Sequence, residues 1–390
     1  MAVARRPAML AAMTHVASPS CRWAFLGTAG IGRKNWQSVH RAGNARLVAV
    51  GSRDAAKARA YIDECQRSVP VEHLPEAVAG YEAVLARDDV DAVYLPLPTG
   101  ARAEWAIRAA EAGKHVLIEK PCGTSVAEVE AIVAACRQAG VQFMDGVMFL
   151  HSVRLDAIRE RLADGAGGVG SIRRITSQFS FRAPEGFLTS DIRARSDLEP
   201  LGCLGDLGWY SIAFTLWALA PRAPVAVTGR VVAAAAAPQS PRPVPVEFAG
   251  EILFPGAGTE SPIATSFFCS FLVAHQQWAH ISGTRGSLRI DDFVLPYCGD
   301  TASFTVSHPD FLLDGCDFRM ERHEEVVTVA EHSHSHASAQ EARMFRDFSA
   351  LALSGQPDPR WPEISLAVQR VMMACVESAA AGGREIPLPA

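Results

Sequence analysis

Three features are missing from this sequence: paired cysteines, a long apolar run and an excess of basic residues. Its nine cysteines are scattered singly from Cys21 to Cys375, without a C-x-x-C pair. This argues against a disulfide framework and a zinc site and indicates a reducing compartment. The longest apolar run, Ile212–Ala220, is too short to cross a bilayer and predicts a buried helix. The net charge of −5, with no clustered basic face, argues against nucleic acid. We therefore expect a cytoplasmic protein that binds neither membrane nor nucleic acid.

The first residues of the chain also lack acidic side chains, since no Asp or Glu precedes Asp54. With Arg5, Arg6 and two serines, this stretch has some character of an organellar transit peptide. The alternatives are a disordered tail and a start at Met13, just before the first predicted strand. We favour a disordered tail over residues 1–21, and a cytoplasmic location over an organellar one.

The most informative pattern that is present is a strand, a turn and a helix. An apolar run from Trp23 ends in a turn of small residues, and an amphipathic segment follows through Val39. This context is typical of G-x-G-x-x-G turns, in which a helix N-terminus faces the pyrophosphate of a dinucleotide. Ala29 stands where the second glycine is usual. The cofactor-binding residues predicted here are Gly27, Thr28, Ala29, Gly30, Ile31 and Gly32.

The end of the second predicted strand, Leu47–Val50, indicates which nicotinamide cofactor binds. NAD-binding domains usually carry Asp or Glu there for the ribose 2′-hydroxyl, whereas this chain has Ser52 and Arg53. A hydroxyl and a guanidinium suit a 2′-phosphate, and Lys57 adds charge one helical turn later. Asp54 is expected to cap the following helix. The alternative for Arg53 and Lys57 is a solvated surface role. The pattern therefore favours NADP(H) without excluding NAD(H).

Short apolar segments alternate with amphipathic ones up to about residue 148, as a doubly wound α/β sheet requires. Gly113 and Gly140 follow two of the amphipathic segments, where a left-handed helix cap is expected. We therefore assign residues 22–148 to an NAD(P)-binding Rossmann domain. Its further strands are predicted at Val71–Leu74, Ala92–Leu95, His115–Ile118 and Val141–Met144, with helices at Glu76–Leu85, Ala101–Ala112 and Ser125–Ala139.

From residue 149 onward the pattern changes to many strands and few helices. It predicts a C-terminal α+β domain over residues 149–390, with a large, mostly antiparallel open sheet. The helices are too few to cover both faces of that sheet, so apolar residues on an uncovered face would favour a symmetric partner. Strands are predicted at Ile172–Phe181, Val225–Val232, Phe248–Phe254, Thr265–Leu272, Trp278–Ser282 and Ser287–Ile290, and helices from Cys203 or Leu204 to Leu219, at Ala337–Leu353 and at Ile364–Ala380.

Three motifs in order along the chain resemble those of the Gfo/Idh/MocA oxidoreductases. Glu119-Lys120-Pro121 follows a predicted strand and resembles the E-K-P motif of that family. The segment Gly202–Tyr210 is similar to its G-x-L-x-D-x-G-x-H/Y motif, and Gly283–Leu288 resembles its G-T-x-G-x-L turn. Asp145–His151 looks like the segment that joins the two domains. The resemblance covers nearly the whole chain from Arg22 and is closest to the dihydrodiol and sugar dehydrogenase-like branch.

The resemblance implies a small-molecule substrate, a substrate-binding second domain, and a homodimer or dimer of dimers formed through the second sheet. It departs at one place: where the family usually has a histidine, on the nicotinamide side, this chain reads Pro98-Thr99-Gly100-Ala101-Arg102. The cofactor contacts that it implies beyond the glycine turn come from Pro96, Leu97, Pro98, Glu119 and Lys120.

The candidate catalytic residues are Lys120, Asp206 and Tyr210. Lys120 stands at the carboxyl edge of a parallel strand, where open α/β sheets bind ligands, and Asp206 and Tyr210 share one helix face. Hydride transfer at a secondary alcohol needs a proton acceptor or donor and a charge that stabilises the alkoxide. We expect Lys120 to favour the Tyr210 phenolate and contact the substrate oxygen, and Asp206 to orient Lys120 or bind a substrate hydroxyl. The structural alternatives are a solvated lysine, a helix N-cap and a core aromatic.

His151 and Arg193 are weaker candidates for substrate binding. His151 either touches the substrate region or is an interdomain histidine. Arg193 either holds a polar substrate or forms an ion pair with Asp191 or Asp197.

A run of alternating histidines near the C-terminus imitates a metal site. His332, His334 and His336 would share one face of a strand. The flanking serines favour a solvated loop instead, so we predict no metal site.

These residues together predict an NADP-dependent dehydrogenase or reductase acting on CH–OH groups of a sugar, cyclic polyol or vicinal diol, dihydrodiols included. Two alternatives belong to other classes. A cofactor-binding regulatory protein without catalysis would lack the constellation of Lys120, Asp206 and Tyr210. A redox-assisted glycosidase would release free sugar without a net change in NADPH.

Overall fold

The computed structural model describes residues 19–163, 167–256 and 261–389. Most of the tail expected over residues 1–21 therefore lies outside the described residues. Among the helices that are described, none is both long and apolar enough to cross a membrane.

The first half of the chain forms a six-stranded parallel sheet. Its strands are β1 Cys21–Leu26, β2 Ala45–Ser52, β3 Glu76–Ala79, β4 Ala92–Leu95, β5 His115–Ile118 and β6 Phe143–Asp145. Its helices are α1 Gly30–Arg41, α2 Ala55–Ser68, α3 Tyr81–Leu85, α4 Thr99–Glu111 and α5 Val126–Ala139. The strand order β3-β2-β1-β4-β5-β6 changes direction between β1 and β4, where such sheets bind ligands. This confirms the doubly wound Rossmann architecture.

The third strand differs from the sequence prediction. The predicted strand Val71–Leu74 is wrong, because the observed strand is Glu76–Ala79, inside the predicted helix Glu76–Leu85. Only the last five residues of that predicted helix are helical, as α3. Glu76–Ala79 pairs in parallel with the end of β2, and Gly80 separates strand from helix at φ 85°. Pairing with a neighbouring strand thus overrides a locally helical pattern.

A nine-stranded mixed sheet dominates the second half. The strands of the second half, of which β14 and β15 lie outside this sheet, are β7 Ile172–Ser180, β8 Ala226–Ala235, β9 Val244–Phe254, β10 Ile263–Ser270, β11 Gln276–Gly283, β12 Ser287–Ile290, β13 Thr301–Ser307, β14 Asp310–Asp314, β15 Asp317–Glu321, β16 Glu324–Ala330 and β17 Ile386–Pro387. The sheet order is β16-β13-β12-β11-β7-β10-β9-β8-β17. Among the described strands of this sheet, only β7 and β10 pair in parallel. The expected large, mostly antiparallel sheet is therefore confirmed, although the strands from β13 to β16 were not predicted.

Helices cover one face of this sheet. The helices of the second half are α6 Arg154–Leu162, α7 Phe187–Ser190, α8 Trp209–Leu219, α9 Gln340–Ser354 and α10 Arg360–Ala380; α6, α8 and α10 pack against the sheet. Gly229 permits the close approach of α10, since a Cβ there would lie 2.2 Å from the Cys375 carbonyl oxygen. The strand residues that alternate with the buried ones lie on the opposite face of the sheet, which we call the outer face. These residues are half-buried or exposed and include Arg174, Thr176, Gln178, Arg230, Phe268, Trp278, His280 and Arg289.

Helix α9 returns to the first half of the chain and packs on α1 and β1. The Trp23 indole N–H in β1 donates to the Ser349 hydroxyl at 2.9 Å. The Arg346 guanidinium donates to the Ala42 carbonyl oxygen, also at 2.9 Å. One wall of the core of the first half is therefore built by residues of the last quarter of the chain.

Strands β14 and β15 form a separate hairpin, here called the arm (residues 310–321). Ser307 of β13 pairs with Glu324 of β16, and within the arm Asp310 pairs with Glu321. The two pairings have the same register, so the arm continues the β13–β16 ladder outward with no residue inserted.

Candidate active site

A cleft of about 840 Å³ lies where the carboxyl edge of the parallel sheet meets the nine-stranded sheet. Large clefts with a few converging charged groups are the usual location of active sites. The first half lines it with Ala29, Gly30, Ile31, Pro96, Leu97, Pro98, Glu119 and Lys120, and the second half with Phe179, Phe181, Arg193, Asp206, Tyr210 and His275, among others. Most of the site residues predicted from sequence thus meet in one place. Those that do not line the cleft are Gly27, Thr28, Gly32, Ser52, Arg53, Lys57 and His151.

The glycine turn has the geometry that a dinucleotide requires. Gly27 lies at φ 120°, a conformation that favours glycine, and its N–H donates to the Gly51 carbonyl oxygen at 2.9 Å. A Cβ at Gly32 would lie 2.6 Å from the Tyr61 hydroxyl, so only glycine allows α1 this close to α2. Helix α1 begins at Gly30 with neither a side-chain cap nor an acid in its first turn. The N–H groups of Gly30 and Ile31 therefore remain for an anion such as a pyrophosphate, whereas that of Gly32 donates to the Ala29 carbonyl oxygen at 3.0 Å.

The end of β2 contains one buried and two exposed candidates for a 2′-phosphate site. Ser52 is buried, whereas Arg53 and Lys57 are exposed at the start of α2. The Asp54 carboxylate accepts a hydrogen bond from the Ala56 N–H at 2.8 Å, which confirms its predicted role as the α2 cap. Because Asp54 is used for capping, the nearby cations are the groups left for an anionic ligand.

The position where the family pattern has a histidine is occupied by a buried hydrogen-bond cluster. Thr99 donates from its N–H and its hydroxyl to the Glu199 carboxylate, at 3.1 and 2.5 Å. The Arg102 guanidinium donates to the carbonyl oxygens of Leu97 at 2.7 Å and Pro121 at 2.5 Å. This cluster ties two loops of the cleft wall to each other and to the second half. Sequence reasoning missed Glu199, since no local signal links it to a residue 100 positions away.

Lys120, Asp206 and Arg193 form one ion-pair network in the cleft. The Lys120 ammonium donates to Asp206 Oδ1 and to the Asp206 carbonyl oxygen, both at 2.6 Å. The Arg193 Nε donates to Asp206 Oδ2 at 2.9 Å, and Arg193 also contacts Asp191 at 3.3 Å. Burial by itself raises the pKa of Asp206, but the two cations outweigh it and hold that pKa at about 2. Asp206 is therefore ionised throughout the ordinary pH range.

Tyr210 lies beside this network with its ring, rather than its hydroxyl, toward the lysine. The Lys120 Nζ is 4.7 Å from the ring centroid, a cation–π distance. The hydroxyl lies 3.7 Å from the Met148 sulfur. Burial, reinforced by the charges of Glu119 and Asp206, raises the pKa of Tyr210 well above 10. This differs from the expectation that Lys120 favours the phenolate: in this geometry desolvation dominates, and Tyr210 is a neutral phenol.

A chain of buried hydrogen bonds fixes Glu119 at the cleft wall. Asn35 donates to the Tyr94 hydroxyl at 2.7 Å, and Tyr94 donates to Glu119 Oε1 at 2.5 Å. Sequence reasoning placed Glu119 in the site but missed the other two residues. Tyr94 was read only as part of a buried strand, and its partner becomes visible only when α1 packs on the sheet.

The remaining candidates lie outside the cleft. His151 is buried, stacks on Trp361 with ring centroids 4.7 Å apart, and has its Nδ1 2.7 Å from Asp347. His332 and His336 stack on each other at 3.8 Å. Both rings have Nδ1 within 3.0 Å of the Ser338 hydroxyl.

The chain matches a known family over most of the residues that the structure describes. Residues 21–147 match an oxidoreductase family with an NAD-binding Rossmann fold, and residues 155–289 match the GFO/IDH/MocA C-terminal domain. The two matches follow each other and together span more than half of the chain. They confirm the resemblance drawn from the three motifs.

Individual relatives are oxidoreductases of sugars. D-xylose 1-dehydrogenase (NADP(+)) 2 of Haloferax volcanii is 40% identical over 190 residues, or 48% of this chain and 54% of that protein. The dTDP-3,4-didehydro-2,6-dideoxy-alpha-D-glucose 3-reductase of Saccharopolyspora spinosa is 33% identical over 254 residues, or 64% of this chain and 68% of that protein. The crystal structure of KijD10, a 3-ketoreductase from Actinomadura kijaniata in complex with NADP and TDP-benzene, is similar at a TM-score of 0.71 and 27% identity, covering 92% of this chain and 98% of that chain. The chain thus matches about half the length of the xylose dehydrogenase and nearly all of the ketoreductase.

Proposed function

Because the chain belongs to the Gfo/Idh/MocA family of oxidoreductases, we propose that it transfers a hydride between NADP(H) and a small hydroxylated substrate. The reacting group is the secondary alcohol or carbonyl of a sugar, cyclic polyol or vicinal diol. The observation that carries the proposal is the Lys120 ammonium held by Asp206 in the cleft next to the glycine turn. A charge fixed there stabilises the alkoxide that such a reaction develops.

The cofactor is assigned to the first-half wall of the cleft and to the end of β2, which lies outside the cleft. The α1 N-terminus at Gly30 binds the pyrophosphate, and Arg53 with Lys57 binds a 2′-phosphate. Pro96–Pro98 and Glu119 flank the nicotinamide. A bound nicotinamide supplies the hydride acceptor for oxidation or the donor for reduction. NADP(H) is preferred because the end of β2 offers cations, and the xylose dehydrogenase and ketoreductase relatives use or bind NADP.

The protein's own residues handle the proton and the charge. The Lys120 ammonium has three donors, of which two are bound by Asp206, so one remains for a substrate oxygen. Tyr210, as a neutral phenol, is suited to donate a proton to that oxygen during reduction. In the reverse direction only its phenolate, the form left after that donation, could take the proton back. Asp206 acts as the positioning residue that holds the lysine.

Charge pairing in the cleft favours an uncharged sugar over a nucleotide-linked one. Among the described residues that line it, each cation contacts a carboxylate: Lys34 with Glu341, Arg102 with Glu199, and Lys120 and Arg193 with Asp206. A nucleoside diphosphate needs cations that are free to bind its phosphates. We therefore place free pentoses, hexoses and polyols ahead of the dTDP-sugars of the reductase relatives.

A substrate panel read by the change in NADPH absorbance tests this proposal. Free sugars, cyclic polyols and vicinal diols are compared with nucleoside-diphosphate sugars, using Lys120→Met as the inactive control. Turnover of a free sugar or diol by the parent alone is expected. Turnover confined to nucleotide sugars would overturn the substrate class. Release of free sugar without net NADPH change would identify a glycosidase, and cofactor binding with no turnover would identify a regulatory protein.

The chain is also proposed to divide at residues 148–149 and to assemble through its second part. The outer face of the nine-stranded sheet exposes or half-exposes Phe268 and Trp278, and such apolar groups favour a symmetric partner. We therefore propose a homodimer or dimer of dimers through this sheet. The scattered single cysteines support the cytoplasm as its location.

A further inference from the structure

The arm exposes an apolar face that nothing in the described chain covers. Phe311, Leu313, Phe318 and Met320 share that face, because Phe311 pairs with Met320 and Leu313 with Phe318. Between 59% and 75% of each of these residues is exposed. The Phe311 and Phe318 rings stack at 5.5 Å. A two-stranded hairpin is only marginally stable alone in water, so such a surface calls for a partner.

The register shows toward which side this face is directed. In β13 the even-numbered residues Phe304 and Val306 are buried in the core, so the odd-numbered residues belong to the outer face. The ladder continues into the arm without an insertion, which places Phe311 and Leu313 on the outer alternation as well. Val326, paired with Thr305 and 65% exposed, links the two surfaces. The apolar face of the arm therefore extends the outer face of the sheet.

We infer that the arm clasps a second copy of this chain by packing its apolar face on the partner as the two outer faces meet. The inference rests on the sheet-mediated assembly proposed above and adds the element that completes it. The four side chains of the arm offer on the order of 400–600 Å², whereas a stable interface buries about 800 Å² per partner. The arm alone is too small, but the arm together with the outer face is large enough.

Charge also favours a second copy over a lipid or nucleic-acid surface. The reverse side of the arm carries Asp310, Asp314, Asp317 and Glu321 against Arg319. Those carboxylates repel anionic lipids and phosphates.

Two neighbouring leucines provide a matched test. Leu313→Asp places a charge on the apolar face, and Leu312→Asp places the same charge on the reverse side. Mass is measured by sedimentation velocity over a concentration series, with circular dichroism and NADPH binding to verify the fold. We expect the parent and the Leu312→Asp variant to be dimers at micromolar concentration. Leu313→Asp should raise the dimer dissociation constant by about tenfold or more, the scale of a lost interface anchor.

A second variant avoids any dependence on one substitution. It deletes residues 308–323 and joins Ser307 to Glu324 through Asn-Gly, a turn that suits a two-residue hairpin. It should weaken the dimer at least as much as Leu313→Asp. If the dimer dissociation constant is unchanged in both variants, the role of the arm is refuted, but the assembly through the sheet is not. A monomeric parent would refute both. An equal effect of Leu312→Asp, or flotation of the parent but not of Leu313→Asp with phosphatidylcholine vesicles, would also overturn the inference.

Discussion

The ammonium of Lys120 is held from two directions by one residue, Asp206, through its carboxylate and its own carbonyl oxygen, both at 2.6 Å. The two residues come from different halves of the chain, 86 positions apart. Asp206 lies in a π-helical turn, Leu204–Gly208, just before α8. Such turns are frequent at functional sites. The lysine is therefore fixed in position before any substrate arrives.

Replacing Lys120 with Met should separate catalysis from cofactor binding. The change removes the charge that stabilises the alkoxide while leaving the glycine turn intact, so kcat should fall by roughly 10²–10⁴-fold. The dissociation constant for NADPH, measured by fluorescence titration, should stay within about twofold of the parent value. Lys120→Arg keeps the charge and should retain more activity. Parent turnover in the Met variant would show that the network is structural.

Tyr210→Phe tests the phenol as the proton donor. The variant keeps the ring that faces the Lys120 ammonium but removes the hydroxyl, so the rate of reduction should fall on the same scale of roughly 10²–10⁴-fold. Because burial raises the pKa of Tyr210, the parent rate of reduction should show no basic limb due to this group below about pH 10. A limb that persists unchanged in Tyr210→Phe would assign it to another residue.

Arg53→Ala should reduce the preference for NADPH over NADH. Loss of a charge-assisted contact to the 2′-phosphate should narrow the difference in binding free energy by on the order of 1–3 kcal/mol, measured by calorimetric titration. Arg59→Ala is the matched control, since Arg59 is an exposed arginine on the same helix. Equal affinity of the parent for NADH and NADPH would contradict the cofactor assignment.

The buried carboxyl of Asp145 and the half-buried carboxyl of Asp206 should make stability depend on pH in opposite directions. Burial raises the pKa of Asp145 to about 6, so the folded state binds its proton more tightly. Its contribution to the free energy of unfolding is therefore full below about pH 4 and is lost as the pH rises through 6. Asp145→Asn keeps an acceptor for the Trp209 indole N–H, 3.1 Å away. It should be more stable than the parent at pH 7, by about 1–3 kcal/mol.

Asp206→Asn should do the reverse. The pKa of Asp206 is lowered to about 2 by Lys120 and Arg193 against the effect of burial, so its contribution is present above about pH 4 and is lost as the pH falls toward 2. The variant should lose on the order of 2 kcal/mol at pH 7 and approach the parent near pH 2. Urea unfolding across this range measures both variants. If both variants have a higher free energy of unfolding than the parent at pH 7, or both a lower one, the opposite pKa shifts of Asp145 and Asp206 are contradicted. If Asp206 only positions the lysine, kcat should also fall less in Asp206→Asn than in Lys120→Met.

Local patterns were sufficient for the turn at Gly27–Gly32, the Asp54 cap and the parallel strands other than β3. Each depends on residues close together in sequence, where backbone conformation and amphipathic period act directly. The motif order also made the family recognisable. The contacts of the catalytic candidates were harder to predict. The sequence left two alternatives for Asp206, of which orienting Lys120 was one, and the two residues meet only when the halves of the chain pack together.

What escaped sequence reasoning depends on distant contacts. The strand at Glu76–Ala79 forms because β2 offers an edge, and the Glu199 cluster forms because the second half meets the start of α4. Strand β13 is an exception, because Ala302, Phe304 and Val306 alternate with threonines and serines and the pattern was overlooked. Strand β16, at the edge of the sheet, lacks such an alternation. The neutral state of Tyr210 depends on how deeply its ring is buried, which composition and spacing do not report.

The return of α9 to the first half has a consequence for biosynthesis. Residues 22–148 leave the ribosome first, yet Trp23 finds its hydrogen-bond partner only when Ser349 has been synthesised. Until then the nascent nucleotide-binding half exposes the apolar surface of α1 and β1 that α9 later covers. A stop codon between that half and α9 would therefore leave its core incomplete, although every residue of that half had been translated.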